Sequence, residues 1–328
     1  MRYPKFLSKN DTIGITALSA GLGKYKEDYY KSIENIKKNG FRVLETTNVL
    51  SSFNPSSSPE QRIIEFNMLL TNDDISMVIC ASGGDFLYEI MPYINYDIIN
   101  KNPKWIMGAS DPTYLLYTVT TNLDIATIYA FNAASFDAKD LHESQKICLD
   151  FIKGNIVTQS SYKKYESNKR GRINNNYNLD TDSLWESING DFEITGRIIG
   201  GCIECLKLLP GTKYDKTNKF IEKYKNDGII WYFDVFNTTS EDFYLTLLHL
   251  KESGWFKYIK GVIVGRVKFP NNYTEMTYQQ ALLKVFGEIP LVFNADIGHV
   301  PPKMTIINGA IAKIKYKNKK SEISQYLI

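Results

Sequence analysis

Short apolar runs alternate along this chain with longer stretches whose apolar positions recur every three or four residues. The first pattern is that of buried strands and the second that of amphipathic helices. In the first half, Asp11–Ala17, Phe41–Glu45, Ser76–Cys80, Trp105–Met107 and Ile125–Ala130 read as strands. Tyr25–Lys38, Pro59–Leu70 and a segment through Tyr114–Tyr117 read as helices between them. Such alternation predicts an α/β fold with a parallel, Rossmann-like sheet covered on both faces, in which ligands gather at the carboxyl ends of the strands. From 153 to 191 the periodicity fades into Asn, Ser, Lys and Tyr, as expected of a connecting segment with some extended structure, anchored by Trp185. The alternation then resumes. Gly196–Gly201 is a strand leading into a helix over Cys202–Leu209. Asp227–Asp234, Tyr258–Val264 and Leu291–Phe293 are strands, with helices at Ser240–Ser253 and Thr277–Phe286. Met304–Asn308 and Ala310–Tyr316 read as a hairpin about Asn308-Gly309. The predicted organisation is an α/β domain at 1–155, a linker at 156–192 and a second α/β domain with a mixed sheet at 193–328.

Composition narrows the function classes. The chain has 328 residues, 43% hydrophobic and 23% charged, with a net charge of +3. That balance fits an ordinary globular protein and gives no pull toward nucleic acid. The basic run Lys163–Arg172 is local and polar, and reads as a solvated loop. No apolar segment reaches membrane-spanning length, and Met1–Phe6 lacks the apolar stretch of a secretory signal, so a cytoplasmic location is expected. Cys202 and Cys205 have half the spacing of a zinc site. No second Cys/His pair completes it, so packed free thiols and no metal are expected. The Gly-rich loop Ser19–Lys24 fails as a phosphate cradle, because Tyr25 follows Gly23-Lys24 and Leu18 stands where a first glycine belongs. No cofactor is expected.

The candidate chemistry centres on Gly108-Ala-Ser-Asp-Pro112. A strand ends there and a helix opens, so the Ser110 hydroxyl is exposed beside free backbone N–H groups. Ser110 or Asp111 could equally be a plain N-cap. A serine nucleophile needs a base. Of three histidines, His142 lies at a polar helix start and His249 on a helix face that reads as packed. His299 lies in a loop after a strand, where catalytic groups concentrate.

Seven stretches in order resemble the LD-carboxypeptidase family of serine peptidases, which includes muramoyltetrapeptide carboxypeptidases and microcin C self-immunity proteins. They are Gly14–Ala17, Glu60-Gln-Arg62 after a Ser-rich loop, Ser82-Gly-Gly84, Gly108–Asp111, Gly196–Gly201, Gly228–Asp234 and Ile297-Gly-His299. The resemblance implies Ser110 as nucleophile, His299 as general base and an acid at the end of the strand Gly228–Asp234, with the active site in the cleft between the two domains. The family's acid is Glu; here Asp234 takes that position, or Phe233 if the register moves by one. An Asp is one methylene shorter, so the backbone must come closer to orient the imidazole. Asp111 N–H and the N–H groups of Gly83 and Gly84 are the candidate oxyanion donors. Two further departures are Cys202, where relatives often have Asn, and Phe131-Asn132, where they often have His-Gly. The resemblance implies a homodimer acting on a small peptide or peptidoglycan fragment, with release of terminal D-Ala from murein tetrapeptide as the leading reaction. Hydrolysis of a microcin-type aminoacyl sulfamoyl adenylate, a binding protein without turnover and a nucleotide-binding α/β protein remain as alternatives.

Overall fold

A computed structural model of the chain describes residues 1–167, 172 and 174–328. The first half builds β1 (Thr12–Thr16), α1 (Lys26–Lys38), β2 (Arg42–Glu45), α2 (Pro59–Thr71), β3 (Ile75–Cys80), α3 (Tyr96–Lys101), β4 (Trp105–Gly108), α4 (Thr113–Leu123), β5 (Thr127–Tyr129) and α5 (Glu143–Phe151). β1 to β5 are parallel in the order β2-β1-β3-β4-β5. The strands β3 and β4 are almost continuously apolar because helices cover both faces. The order reverses between β1 and β3. The loops leaving their carboxyl ends therefore diverge and open a crevice, the usual ligand position in such sheets.

The second half adds β6 (Gln159–Ser160), β7 (Lys164–Tyr165), β8 (Thr181–Asp182), β9 (Glu186–Ser187), β10 (Phe192–Cys202), α6 (Ile203–Leu206), α7 (Thr217–Lys223), β11 (Ile229–Asp234), α8 (Ser240–Glu252), β12 (Ile259–Gly265), α9 (Tyr278–Phe286), β13 (Leu291–Ala295), β14 (Ile306–Asn308), β15 (Ile311–Lys317) and β16 (Lys320–Tyr326). Its mixed eight-stranded sheet runs β6-β16-β15-β10-β11-β12-β13-β9. β10 to β13 are parallel, with antiparallel strands at both ends. Among the described residues no helix is long and apolar enough to cross a membrane.

Four expectations change. The segments about Asn308-Gly309 do not form a hairpin. β14 pairs antiparallel with β5 at the edge of the first sheet, whereas β15 pairs with β10 in the second. Gly309, at φ 87°, carries the chain from one sheet to the other. The real hairpin is β15–β16, turned through Asn318 and Lys319, both at positive φ. The helix expected over Cys202–Leu209 is regular only at Ile203–Leu206. His249 is exposed on α8 rather than packed. Of the basic run Lys163–Arg172, positions 168–171 lie outside the described residues. Lys164-Tyr165 pairs with β8, and Arg172 makes a forked ion pair with Glu166 rather than facing solvent alone.

α4 joins the halves. Its Tyr117 ring stacks on Trp255 at 5.3 Å, and its hydroxyl meets Thr217 Oγ1 at 2.7 Å. Gly201 has no room for a Cβ, which would lie 2.4 Å from Thr113 Cγ2, so β10 lies directly against the start of α4. Asn308 closes the seam. Its Oδ1 accepts from the Tyr232 hydroxyl at 2.9 Å and from Gly200 N–H at 3.3 Å, while Nδ2 faces Thr127 Oγ1 at 3.4 Å. Asn308→Ala leaves these buried donors without an acceptor. Urea unfolding should show a loss of about 2–4 kcal/mol; an unchanged midpoint contradicts this role for the seam.

Candidate active site

The strand β4 is wholly buried and delivers Ser110 to the crevice. Gly108 turns so close to α4 that a Cβ would lie 2.7 Å from the Pro112 ring. Asn132 then holds Ala109 on both sides, with Ala109 N–H donating to Oδ1 at 2.9 Å and Nδ2 donating to the Ala109 carbonyl at 3.2 Å. Ser110 follows at φ 69°, a left-handed conformation that non-glycine residues rarely adopt. This is the strained strand-to-helix turn that lifts a serine hydroxyl out of the backbone. The N-cap alternative does not describe the turn. α4 begins at Thr113 without a side-chain cap, and Asp111 instead accepts the Leu87 N–H at 2.8 Å. Burial raises the Asp111 carboxyl, opposed by hydrogen bonds from Ser19 and Leu87.

Gly83 lies against this turn; a Cβ there would sit 3.1–3.2 Å from Ser110 Cβ and Oγ. Gly84, at φ 146°, packs on Ser19. Among the described residues, the N–H groups of Gly83, Gly84 and Asp111 donate to no protein acceptor. They remain available to a ligand oxygen. The Ser110 N–H is not available, because it donates to the Tyr129 hydroxyl at 3.1 Å.

The facing wall comes from the second half. β11 is buried throughout and ends at Asp234, which has no exposure. Asp234 Oδ1 accepts from His299 Nδ1 at 2.9 Å and from His299 N–H at 3.1 Å, and Oδ2 lies 2.8 Å from Nδ1. Oδ2 also takes the Tyr129 hydroxyl. Burial alone would raise this carboxyl. The His299 imidazole and the Tyr129 hydroxyl outweigh it and hold Asp234 below the usual carboxylate range. With Nδ1 bonded to a carboxylate, Nε2 is the nitrogen left to accept a proton.

The loop comes down to meet the Asp234 side chain. Gly298, at φ 98°, sits so close that a Cβ would lie 2.0 Å from Asp234 Oδ1. The backbone thus comes down onto the carboxylate. In the alternative register, the Phe233 position has no group to offer His299.

Ser110, His299, Gly83, Gly84 and Asp111 line one cleft of about 610 Å³, with Asp234 directly behind His299. Ser110 Oγ makes no hydrogen bond to His299 in this structure. Catalytic pairs in unliganded sites are often long and tighten when substrate binds.

Two groups here escaped sequence reasoning. Glu204 Oε1 accepts the N–H groups of Phe236, Asn237 and Thr238, each at 3.0 Å, and so fixes the loop after Asp234. Tyr129, read only as part of a strand, bridges Ser110 and Asp234. Trp185 is buried with its Nε1 on Asp296 at 2.8 Å, and so packs the connecting segment rather than the cleft. Cys202 and Cys205 are free thiols on the cleft floor. Contact with Cys205 and burial raise Cys202, and burial raises Cys205, so both stay protonated. Donor atoms of Cys202, Asp234 and His299 lie within 4.8 Å of one another. A soft ion placed there would compete with three donors already on Asp234.

Residues 13–130 match the model of the LD-carboxypeptidase N-terminal domain, and 195–314 that of the C-terminal domain. The chain belongs to the LD-carboxypeptidase family. It is 26% identical to the microcin C7 self-immunity protein MccF of Escherichia coli, over 98% of this chain and 95% of the relative. Identity to the "Probable murein peptide carboxypeptidase" of Bacillus subtilis is 23%, over 65% of this chain and 60% of that one. The fold matches the crystal structure of an MccF-like protein from Bacillus anthracis with a TM-score of 0.85, at 22% identity and full coverage of both chains. It also matches MccF in complex with aspartyl sulfamoyl adenosine, with a TM-score of 0.83, at 23% identity over 98% of each chain.

Within this LD-carboxypeptidase scaffold the Asp234 carboxyl has no spare room. Asp234→Glu should therefore lower the rate of labelling by a fluorophosphonate probe by about a hundredfold, the scale of a 1 Å misplacement. A rate at or above that of the parent chain contradicts the tight fit at Gly298. Lys303, with Nζ 4.8 Å from the Phe131 ring, is pushed down to about 8 by burial, with Asp234 pulling the other way. Its folded value lies below its unfolded value. Its charge therefore costs stability at neutral pH, and the cost disappears as pH rises through that window. Lys303→Met should melt higher than the parent chain at pH 7, and the gap should shrink above about pH 8 and close by about pH 11. A gap independent of pH contradicts the shift.

Proposed function

We propose that this chain is a serine hydrolase that cleaves an amide linking an L-centre to a D-residue in a short peptide. The observation that carries the reading is the buried Asp234 carboxylate on His299 Nδ1, facing the cleft that Ser110 enters at positive φ. Ser110 Oγ attacks the carbonyl carbon and His299 Nε2 takes its proton. The oxyanion rests on the unpartnered N–H groups of Asp111 and of Gly83 or Gly84. His299 then passes the proton to the leaving amine and the C–N bond breaks. Water, activated by the same imidazole, hydrolyses the acyl-serine and restores the hydroxyl. Terminal D-Ala of a murein tetrapeptide is the proposed leaving group, in keeping with the family's name and with the murein peptide carboxypeptidase relative.

A second reading follows from the near full-length similarity to MccF. In it the scissile bond is the acyl–sulfamoyl bond of an aminoacyl sulfamoyl adenosine, and the same groups perform the same transfer.

Mass spectrometry of the chain incubated separately with murein tetrapeptide and with aspartyl sulfamoyl adenosine tests both. D-Ala release supports the first reading and free aspartate the second. Ser110→Ala should abolish turnover and fluorophosphonate labelling, a loss of at least about a thousandfold. Equal labelling of parent and variant contradicts Ser110 as nucleophile. Labelling without turnover of either substrate contradicts both substrate assignments but leaves the nucleophile standing.

A further inference from the structure

The Tyr129 hydroxyl is fully enclosed at the end of β5 and has two partners. One is the Ser110 N–H of its own half. The other is Asp234 Oδ2 of the facing half. A phenol carries one proton. Asp234, held as a carboxylate, can only accept, so the proton points to Oδ2 and a lone pair takes the Ser110 N–H. We infer that Tyr129 is a positioning residue that couples the turn of the nucleophile to the acid behind the base, and sets how much of the Asp234 charge is left for His299. This rests on the proposed reading of Ser110 and His299.

Three consequences follow from the geometry. First, Ser110 N–H is turned inward to Tyr129, which fixes the backbone at the strained turn and leaves oxyanion duty to Asp111 N–H and the glycine loop. Second, Oδ1 receives both His299 donors, while Oδ2, itself 2.8 Å from Nδ1, receives the phenol. A hydrogen bond to a charged acceptor withdraws part of its basicity, so the phenol weakens the pull of Asp234 on the imidazolium. Third, the link crosses between the two sheets, so the acid is registered against the serine turn and not only against its own loop. Burial together with the neighbouring Asp234 charge pushes the Tyr129 hydroxyl well above its ordinary range, so it remains a donor throughout the working pH range.

Other titratable groups face this pair. Lys303 comes from the loop after His299, Cys202 from the end of β10 and Tyr232 from β11. Tyr129→Phe removes the hydroxyl alone and keeps the ring, which packs on Tyr232 at 5.6 Å.

The chain has only three histidines, so ¹⁵N-imidazole spectra of the full chain resolve each one, with His299→Gln identifying its signals. In Tyr129→Phe, Asp234 has one donor fewer and holds the imidazolium more tightly. The His299 titration midpoint should move up by about half to one pH unit, and fluorophosphonate labelling of Ser110 at pH 7 should slow by about tenfold. 3-Fluorotyrosine at position 129, a stronger donor of nearly the same size, should move the midpoint down. It also keeps the test decisive if the phenylalanine variant fails to fold. Tyr232→Phe, which removes a neighbouring buried hydroxyl bonded to Asn308, should lower stability without moving the midpoint. A His299 midpoint that stays put in both Tyr129 variants, or that moves equally in Tyr232→Phe, overturns the proposal. Because the midpoint is read without substrate or probe, its shift stands even if the parent chain labels nowhere. That last result would strike the nucleophile reading alone.

Discussion

A carboxylate cut off from water must be held by donors, and Asp234 draws them from both halves of the molecule. His299 supplies two and Tyr129 one. An ionised group left unpaired at that depth would cost several kcal/mol or take up a proton. Any closure of the two sheets that satisfies it must bring donors from both halves to this one carboxylate. That closure brings the imidazole from the loop after β13 to the same cleft as the serine at the end of β4. The seam formed by α4, β10 and Asn308 is the mechanical support for this one electrostatic requirement.

Around Asp234 the backbone comes to the side chain. An Asp carboxyl stands close to its own strand, and the gap to His299 closes from the other side. Gly298 leaves out a Cβ that would collide with Oδ1, and the His299 N–H drops onto the same oxygen. Glu204 then ties the three residues that follow the turn after β11, so the loop cannot relax away. The position is held by several inexpensive contacts rather than by one long side chain.

Local pattern carried a good part of this arrangement. The strand Trp105–Met107 ending in glycine, with Ser-Asp-Pro to follow, gives the turn at Ser110 directly, and the apolar run ending at Asp234 gives the end of β11. Long-range pairing was not legible. Ile306–Asn308 has the apolar character of any buried strand, and nothing in it says that its partner is β5 across the seam rather than the strand that follows it. Tyr129 is equally hidden. In sequence it is one more aromatic on a buried strand, and only the approach of β11 gives its hydroxyl a carboxylate. Glu204 looks like an ordinary helix residue until the loop from 236 to 238 folds over it. Trp185 could have faced the cleft or the core, and the buried Asp296 carboxylate that receives its indole N–H decides for the core.

The account stands or falls on the two halves presenting their groups to one reacting atom. The most direct measurement is a crystal structure of the chain after reaction with a fluorophosphonate. The account predicts phosphorus bonded to Ser110 Oγ, with the phosphoryl oxygen within about 3 Å of the Asp111 N–H and of an N–H in Gly83-Gly84. His299 Nε2 should lie within hydrogen-bond reach of the adduct, and Nδ1 should still be seated on Asp234. An adduct on another residue, or one on Ser110 with its oxygen facing solvent and His299 turned away from Asp234, would contradict it.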